Sequence, residues 1–390
     1  MAENLRIQNE LEGFVMYKLE LREFILSHDN WEELLVAEPY CLKISRDDGY
    51  IMFKYNQVFS DFNIPLVREA RGIIFRESDW ECVCHPFDKF GNYGESYCPE
   101  IDWKTASVQE KIDGSLIKFW YDNGWHISTN GTIDAFKANL NNVKYENFGQ
   151  LVLAAIRKVF PNEHDFFEML NPEFTHMFEL VSPYNRVVIP YEETRLYFLG
   201  IRERFDYEEE RKPELFPICK YFTTPKRYPL HSLEDVQKAA NALSWNEEGY
   251  VVCDYNYNRV KIKSPSYVMA HYVRNNNTIN IERLVQIVLD GEQEEFLIYA
   301  SDYANELHDV ESVMHSIASK SVESMKVLFG AQYEFANRGD YAREVVKHPV
   351  YMKDFLFHCF DDRIFWDYAK SWSVDRWVKA INEFKEGDNK

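Results

Sequence analysis

The sequence lacks several features that would define its class at once. Its 390 residues contain no apolar run of membrane-spanning length, no internal repeat and no low-complexity tract. The first residues, MAENLRIQNELEGF, lack the basic start and the apolar stretch of a signal peptide. We therefore expect no membrane partner, no repeat architecture and no secretion.

Cysteine and positive charge are also scarce. The seven cysteines form an odd count without a regular framework, which predicts a reducing, cytoplasmic compartment. The formal net charge of −20 disfavours a protein that coats nucleic acid through a broad positive field. Any nucleic-acid binding is predicted to be confined to a groove and assisted by divalent cations.

Residues up to about 268 have the pattern of a mixed α/β domain. Helical patterns, among them LEDVQKAANAL with Ser232 as its N-cap, interrupt runs rich in aromatic and β-branched residues. These strand-like runs are YIMFKY (50–55), RGIIF (71–75), SLIKFWY (115–121), THMFELV (175–181), VVIPY (187–191), LYFLGIR (196–202), GYVVCDY (249–255) and RVKIKS (259–264). From about residue 270 onward, helical spacing dominates. The predicted domains are 1–268 and an α-helical 269–390.

The stretch EKIDGSLIKFWYDNGWHIS places a lysine, Lys111, just before a predicted hairpin. Its turn is Asp122-Asn123-Gly124, because Asn-Gly readily adopts the positive φ angles of a tight turn. A lysine before a turn is usually solvated. Here, however, the loop leads into a strand with the composition of a core element, so it can direct Lys111 into a cleft.

Charged residues also interrupt other strand-like runs. Burial of an unpaired charge is unfavourable, so such residues are normally paired or bind a ligand. An ion pair is the simpler interpretation for any single one of them. Lys261 and Lys263 are different, because a spacing of two places both side chains on one face of a strand. Two cations there suit a phosphate.

Taken in order, these motifs resemble those of the covalent nucleotidyltransferases, and most closely those of the RNA ligase 1 family of large phages. The similarity extends over about residues 50 to 270. Its motifs are KYNQ (54–57), EARGIIF (69–75), HPFDKF (85–90), EKIDGSL (110–116), FELVSPYNRVVIPY (178–191), EEGYVV (247–252) and KIKSPSYV (261–268).

The resemblance implies an α+β nucleotidyltransferase fold, with ATP-grasp-like antiparallel sheets and flanking helices, followed by an all-α C-terminal domain with a role in RNA specificity. It also implies an ATP-dependent RNA ligase that uses Mg²⁺, or Mn²⁺, and acts through lysyl-AMP and adenylated RNA. The implied partners are ends of single-stranded RNA or cleaved tRNA, in a repair reaction. The expected state is a monomer in the cytoplasm, which for a phage protein is that of the host.

Roles for individual residues follow from the same resemblance. Lys111 is the implied nucleophile, and Lys261 and Lys263 are the implied catalytic pair at the α-phosphate. The full implied nucleotide-binding set is Tyr55, Arg71, Lys89, Lys111, Glu179, Lys261 and Lys263. Glu248 is an implied metal ligand, and Glu294 in LDGEQEEF is a second candidate. Asp113 and Gly114 are expected to shape the loop, and Ser115 to form local hydrogen bonds.

One position departs from the pattern, and other functions stay open. Some relatives carry a lysine where Asn130 aligns, which affects the expected handling of the 5′-phosphate. A capping-type guanylyltransferase or a DNA ligase of the superfamily usually has a β-rich OB-fold after Lys-x-Lys, and this tail reads as helical. A catalytically inactive RNA-end-binding module would not need Lys111.

Overall fold

The computed structural model describes residues 18–140, 142, 144–205, 209–210, 215–272, 279–329, 338–358 and 372–388. The chain divides into two compact units, Met1–Ala270 and His271–Lys390. All strands described below belong to the first unit. The second unit consists, in its described part, of helices.

Three four-stranded sheets form the framework of the first unit, and every strand pair within them is antiparallel. Their orders are β1-β2-β3-β4, β10-β5-β11-β12 and β7-β6-β8-β9. The strands are β1 Lys43–Asp47, β2 Tyr50–Lys54, β3 Arg71–Arg76, β4 Cys82–Cys84, β5 Ser107–Glu110, β6 Ser115–Tyr121, β7 Trp125–Thr129, β8 Phe174–Val181, β9 Arg195–Glu203, β10 Arg227–Tyr228, β11 Gly249–Cys253 and β12 Arg259–Lys263.

Helices of the first unit cover the sheets and connect them. They are α1 Glu20–Ser27, α2 Trp31–Val36, α3 Pro65–Glu69, α4 Phe148–Arg157, α5 Glu163–Glu168, α6 Leu233–Ala242 and α7 Pro265–Tyr272, which reaches into the second unit. The Ser232 side chain accepts a hydrogen bond from the Asp235 amide, so it caps α6 as predicted. Single-turn 3₁₀ helices occupy Ala135–Lys137 and Pro217–Lys220.

The largest core of the first unit lies between the sheet β7-β6-β8-β9 and helices α4 and α5. Phe119 of β6, Phe166 of α5 and Phe178 of β8 are fully buried there. The Phe119 ring meets the other two edge-on, with centroids 5.0 and 5.4 Å apart. Such aromatic pairs stabilise the fold by more than the burial of their apolar area alone, so they help to fix the position of β6.

The β6–β7 hairpin has the predicted turn. Asn123 has φ of +54°, and the Asp122 amide donates to the Gly124 carbonyl oxygen over 3.0 Å. The α+β class with antiparallel sheets is confirmed. The prediction of a strand at VVIPY is wrong, because this segment is irregular. Two of its backbone amides donate to a distant carboxylate instead of to a neighbouring strand.

The helices of the second unit are α8 Ile281–Asp290, α9 Gln293–Tyr299, α10 Ala304–Phe329, α11 Arg338–Val345, α12 Val350–His358 and α13 Val374–Asp388, with a 3₁₀ turn at Ser301–Tyr303. Helix α8 begins at the Asn280 cap and ends at Gly291, whose φ is +69°. Among the described residues, no helix is both long and apolar enough to span a bilayer.

Candidate active site

The sheet β10-β5-β11-β12 brings the motif lysines together. Lys111 directly follows β5, and its amide donates to the Gly249 carbonyl oxygen over 2.9 Å. Gly249 in turn pairs with Lys263 on β12. Lys261 and Lys263 lie on alternate positions of β12, so both side chains leave the same face of the sheet.

A carboxylate lies between two of these lysines. The Lys111 Nζ is 2.8 Å from the Glu248 Oε1, and the Lys263 Nζ is 3.8 Å from the same oxygen. The Glu248 side chain is buried, and its Oε2 has no hydrogen-bond partner in the described part of the chain. A buried carboxylate oxygen without a donor is unfavourable unless a ligand occupies it. Glu248 therefore has one oxygen for the lysines and one available for a cation.

The opposite wall of the site comes from the sheet β7-β6-β8-β9. Leu116 on β6 pairs with Glu179 on β8, which sets Glu179 beside the start of β6. A Cβ at Gly114 would lie 2.5 Å from the Leu180 carbonyl oxygen and 2.9 Å from the Glu179 Cγ. Only glycine allows this approach. The glycine of the motif thus joins the Lys111 loop to the strand that carries Glu179.

The pKa of the Glu179 carboxyl group is raised well above its ordinary value. Burial raises the pKa of its carboxyl group to about 7, and the neighbouring Glu248 carboxylate also raises it, whereas the positive charge of Lys111 lowers it. The side chain still reaches the cleft. Its charge state therefore changes near neutral pH.

The Asp113 carboxylate holds the loop after Lys111 in place through three hydrogen bonds. The Asp113 Oδ2 accepts hydrogen bonds from the amides of Val188 and Ile189, over 2.9 and 2.6 Å. Its Oδ1 accepts from the Tyr267 hydroxyl over 2.8 Å. Sequence reasoning assigned no role to Tyr267, although KIKSPSYV contains it. The carboxylate anchors the Lys111 loop to two distant segments.

Ser115 forms a long-range hydrogen bond rather than the local one expected of it, since its partner lies 70 residues away. Its Oγ accepts from the Asn185 Nδ2 over 2.8 Å. The loop that follows β8 is therefore attached on both sides of Gly114, through Asp113 and through Ser115.

Cations and aromatic rings form the far end of the site. The Lys89 Nζ lies 5.1 Å from the centre of the Tyr55 ring and 4.9 Å from that of Phe62. The Arg71 guanidinium lies 5.1 Å from the centre of the Phe90 ring. Cation–π contacts of this kind hold a charged head in place without neutralising it.

The loop that carries Lys89 is docked on β12. Asn92 bridges to Lys261 in parallel fashion. The Lys261 amide donates to the Gly91 carbonyl oxygen over 2.9 Å, and its carbonyl oxygen accepts from the Tyr93 amide over 2.7 Å. Backbone hydrogen bonds thus fix the position of Lys89 relative to the Lys-x-Lys strand.

Together these elements enclose a cleft of about 1110 Å³. Seven of the predicted residues line it: Tyr55, Arg71, Lys89, Lys111, Glu179, Lys261 and Lys263. Glu248 does not line the cleft itself, but it forms an ion pair with Lys111, which does. Glu294 is an exposed residue in the first turn of α9, in the second unit. No group of three or more His, Cys, Asp or Glu side chains suited to a metal ion occurs in the described parts of the chain.

This arrangement agrees with a family comparison. A family model described as RNA ligase matches residues 69–267, just over half of the chain. The chain belongs to the RNA ligase family. The resemblance to phage RNA ligase 1 proteins is confirmed by relatives of phage origin.

Three relatives illustrate the similarity. A protein of Autographa californica nuclear polyhedrosis virus, named as a bifunctional polynucleotide kinase/RNA ligase, is 35% identical over 67% of this chain and 39% of its own length. The RNA ligase of Rhodothermus phage RM378 is 28% identical over 65% of this chain and 70% of its own length. RNA ligase 1 of bacteriophage TS2126 is 32% identical over 36% of each chain. This chain thus spans 39% of the length of the baculovirus protein.

Within this RNA ligase family member, the position of Asn130 is now defined. Asn130 lines the cleft, and its Oδ1 is buried without a hydrogen-bond partner among the described residues. Its carbonyl oxygen would lie 2.7 Å from a Cβ at Gly72, whose φ is +80°. Glycine at 72 is therefore required for this close approach.

One charged residue of the ligase domain was missed by the sequence reasoning. Lys118 on β6 is fully buried and donates from its Nζ to the Gly72 carbonyl oxygen. Burial lowers the pKa of Lys118 to about 8, and the nearby positive charges of Arg71 and Lys54 lower it as well. The run SLIKFWY contains this lysine, but the alternation of side chains along a strand does not show whether one or both of its faces are buried.

Proposed function

We propose that this chain is an ATP-dependent RNA ligase that joins a 5′-phosphate to a 3′-hydroxyl on single-stranded or broken-loop RNA. One observation carries the proposal: Lys111 faces a cleft lined by several cations and is held by the Glu248 carboxylate at 2.8 Å. A lone reactive amine among phosphate-binding cations suits transfer of a nucleotide better than simple binding of RNA.

In the first step, Lys111 attacks the α-phosphorus of ATP, a nitrogen–phosphorus bond forms, and pyrophosphate leaves. The amine is nucleophilic only when it has lost its proton, and we propose that the Glu248 carboxylate, 2.8 Å from its Nζ, accepts that proton. Lys261 and Lys263 neutralise charge that builds up on the α-phosphate.

In the second step, the AMP passes from Lys111 to the 5′-phosphate of an RNA end, which gives a 5′–5′ pyrophosphate linkage and frees the lysine. In the third step, a 3′-hydroxyl attacks that 5′-phosphate, a phosphodiester forms and AMP leaves. Each step is an in-line displacement at phosphorus, so positioning and charge neutralisation account for most of the catalysis.

The remaining cleft residues suit the rest of the nucleotide. Glu179, which lines the cleft, is proposed to accept hydrogen bonds from the ribose hydroxyls. Arg71 and Lys89 suit the triphosphate tail and the incoming 5′-phosphate. Tyr55, with the ammonium group of Lys89 over its ring, borders the nucleotide pocket.

A divalent cation fits the site through Glu248. None of the described residues donates a hydrogen bond to its buried Oε2, and Mg²⁺ favours one or two carboxylates together with phosphate oxygens. When bound, Mg²⁺ or Mn²⁺ would neutralise phosphate charge. Glu294 stays a prediction as a second ligand. The helical second unit is proposed to select the RNA, with cleaved tRNA as a candidate, and the active form is proposed to be a monomer.

The purified protein, incubated with ATP labelled at the α-phosphate and magnesium, tests the proposal. We expect a labelled protein band on a denaturing gel that discharges onto 5′-phosphorylated single-stranded RNA. Lys111→Ala should carry no label while remaining folded. Label from GTP but not ATP would contradict the proposal in favour of a capping-type enzyme. Label retained by Lys111→Ala would contradict the assignment of the nucleophile.

A further inference from the structure

We propose that Lys144 and Arg186 bind backbone phosphates of single-stranded RNA outside the nucleotide cleft. The two residues define a surface that we call the 144/186 patch. The inference rests on the RNA ligase function proposed above and adds a location for the RNA strand. It concerns residues that do not line the cleft.

Lys144 is exposed, yet it is held in a defined position. Its Nζ lies 5.3 and 4.8 Å from the centres of the Tyr145 and Tyr184 rings and donates to the Tyr184 hydroxyl over 3.1 Å. The Asn142 Oδ1 accepts from the amides of Lys144 and Tyr145, which fixes the backbone. The hydrogen bond with the Tyr184 hydroxyl raises the pKa of Lys144, so the charge persists at neutral pH.

Arg186 is also exposed and positioned. Its Nε donates to the Val188 carbonyl oxygen over 2.9 Å, which orients the guanidinium group. An oriented guanidinium presents its other N–H groups as a fork that matches phosphate geometry. The group is set for a ligand and loses little freedom when it binds one.

The 144/186 patch is connected to the nucleophile loop. Asn185, the neighbour of Arg186, donates to Ser115, and Val188 donates to Asp113. Arg186 therefore lies between two anchor points that flank Gly114. An RNA strand bound by Arg186 would therefore contact a segment that is attached to the Lys111 loop.

The charge balance of the patch is unusual for this protein. The chain carries a net charge of −20, and exposed cations elsewhere commonly pair with carboxylates, as Arg157 does with Glu163. Within the described residues, neither Lys144 nor Arg186 forms an ion pair. Two fixed cations without acidic partners form a local positive site, and phosphates of a nucleic-acid backbone are its natural ligands.

The test compares the double variant Lys144→Gln/Arg186→Gln with a matched control, Arg157→Gln/Lys238→Gln. Both remove two exposed positive charges, and neither control residue lines the cleft. Binding of a 5′-phosphorylated single-stranded RNA is measured over a series of salt concentrations. Lysine adenylation with ATP alone is measured in parallel, because that step needs no RNA.

The 144/186 variant should bind RNA about tenfold more weakly at low salt, with the slope of log K against log salt smaller by about 1.4, since each phosphate contact contributes about 0.7 on single strands. Adenylation should stay within about twofold of wild type, and the charge-preserving Lys144→Arg/Arg186→Lys should keep the wild-type salt slope. An unchanged slope, or an equal loss in the control, would overturn the inference. Loss of adenylation in the 144/186 variant would also overturn it, by assigning the residues to the nucleophile loop. If wild type itself neither adenylates nor binds RNA, the proposed function fails first.

Discussion

Two lysines seven positions apart in EKIDGSLIK occupy opposite environments. Lys111 keeps about a fifth of its side chain exposed and forms an ion pair with Glu248 at the cleft. Lys118 is fully buried and donates to a backbone carbonyl oxygen. Burial lowers the pKa of Lys118 to about 8, a property often associated with a reactive amine. Access to the cleft and a carboxylate partner therefore distinguish the candidate nucleophile from Lys118.

The largest expected effect comes from removing the accessible lysine. Lys111→Met should reduce adenylation by at least about 10³-fold, because it removes the amine at 2.8 Å from the Glu248 Oε1, and the Lys263 Nζ lies farther from that oxygen, at 3.8 Å. The melting temperature should change little, since the side chain supports no core. Incorporation of α-labelled AMP is the measurement. Equal losses in Lys111→Met and Lys118→Met would remove the distinction between the two lysines.

The segment between the lysines offers a second test. Gly114→Ala should lower adenylation about 100-fold, because the added Cβ would lie 2.5 Å from the Leu180 carbonyl oxygen and must displace the Lys111 loop. Stability should fall by about 1–3 kcal/mol. Ser115→Ala is the matched control, since it removes a hydrogen bond and adds no atom. A fully active Gly114→Ala enzyme would contradict the close approach.

Glu179 differs from both lysines. It is an acidic group that has a raised pKa and also lines the cleft. Its pKa of about 7 means that the carboxylate form gains population as pH rises from 6 to 8. If Glu179 has the proposed role, its ionised form accepts the ribose hydrogen bonds, and the apparent affinity for ATP should rise over that range. Glu179→Gln should weaken ATP use about tenfold and flatten the pH profile. RNA binding should change much less, and an equal loss of both would reassign Glu179 to a structural role.

Lys118 should give the smallest effect on activity. Lys118→Met should keep adenylation within about threefold of wild type, because the side chain touches no substrate. The folded pKa of about 8 lies below the ordinary value of 10.5, so the unfolded chain binds more protons between those values. Wild-type stability should therefore increase from pH 8 to 10.5. Urea unfolding should show this increase in wild type and not in Lys118→Met.

Much of the ligase domain could be predicted from local patterns. Alternation and composition located the strands that carry Arg71, Glu179 and Lys263, and Asn-Gly located the hairpin turn. The order of the motifs located the cleft residues. The prediction of a strand at VVIPY was wrong because the pattern shows only local preference. The Val188 amide donates its hydrogen bond to Asp113, 75 residues away, instead of to a neighbouring strand.

Other parts of the site depend on contacts that no local pattern contains. The hydrogen bond between Tyr267 and Asp113 joins positions 154 residues apart. The burial of Lys118 depends on how the sheet β1-β2-β3-β4 packs, since its acceptor Gly72 belongs to β3. Asn130 was recognised as a departure, but the lack of a partner for its Oδ1 became visible only in three dimensions.

The docking of the Lys89 loop on β12 also bears on solubility. Strand β12 is the last strand of its sheet, and its sequence, RVKIK, alternates apolar and basic residues. An uncovered edge of this kind offers free amide and carbonyl groups to a strand of another molecule. Gly91 and Tyr93 take both backbone groups of Lys261 and so cap the edge at its middle. The segment that positions Lys89 at the cleft therefore also occupies backbone groups through which β12 could pair with a strand of another molecule.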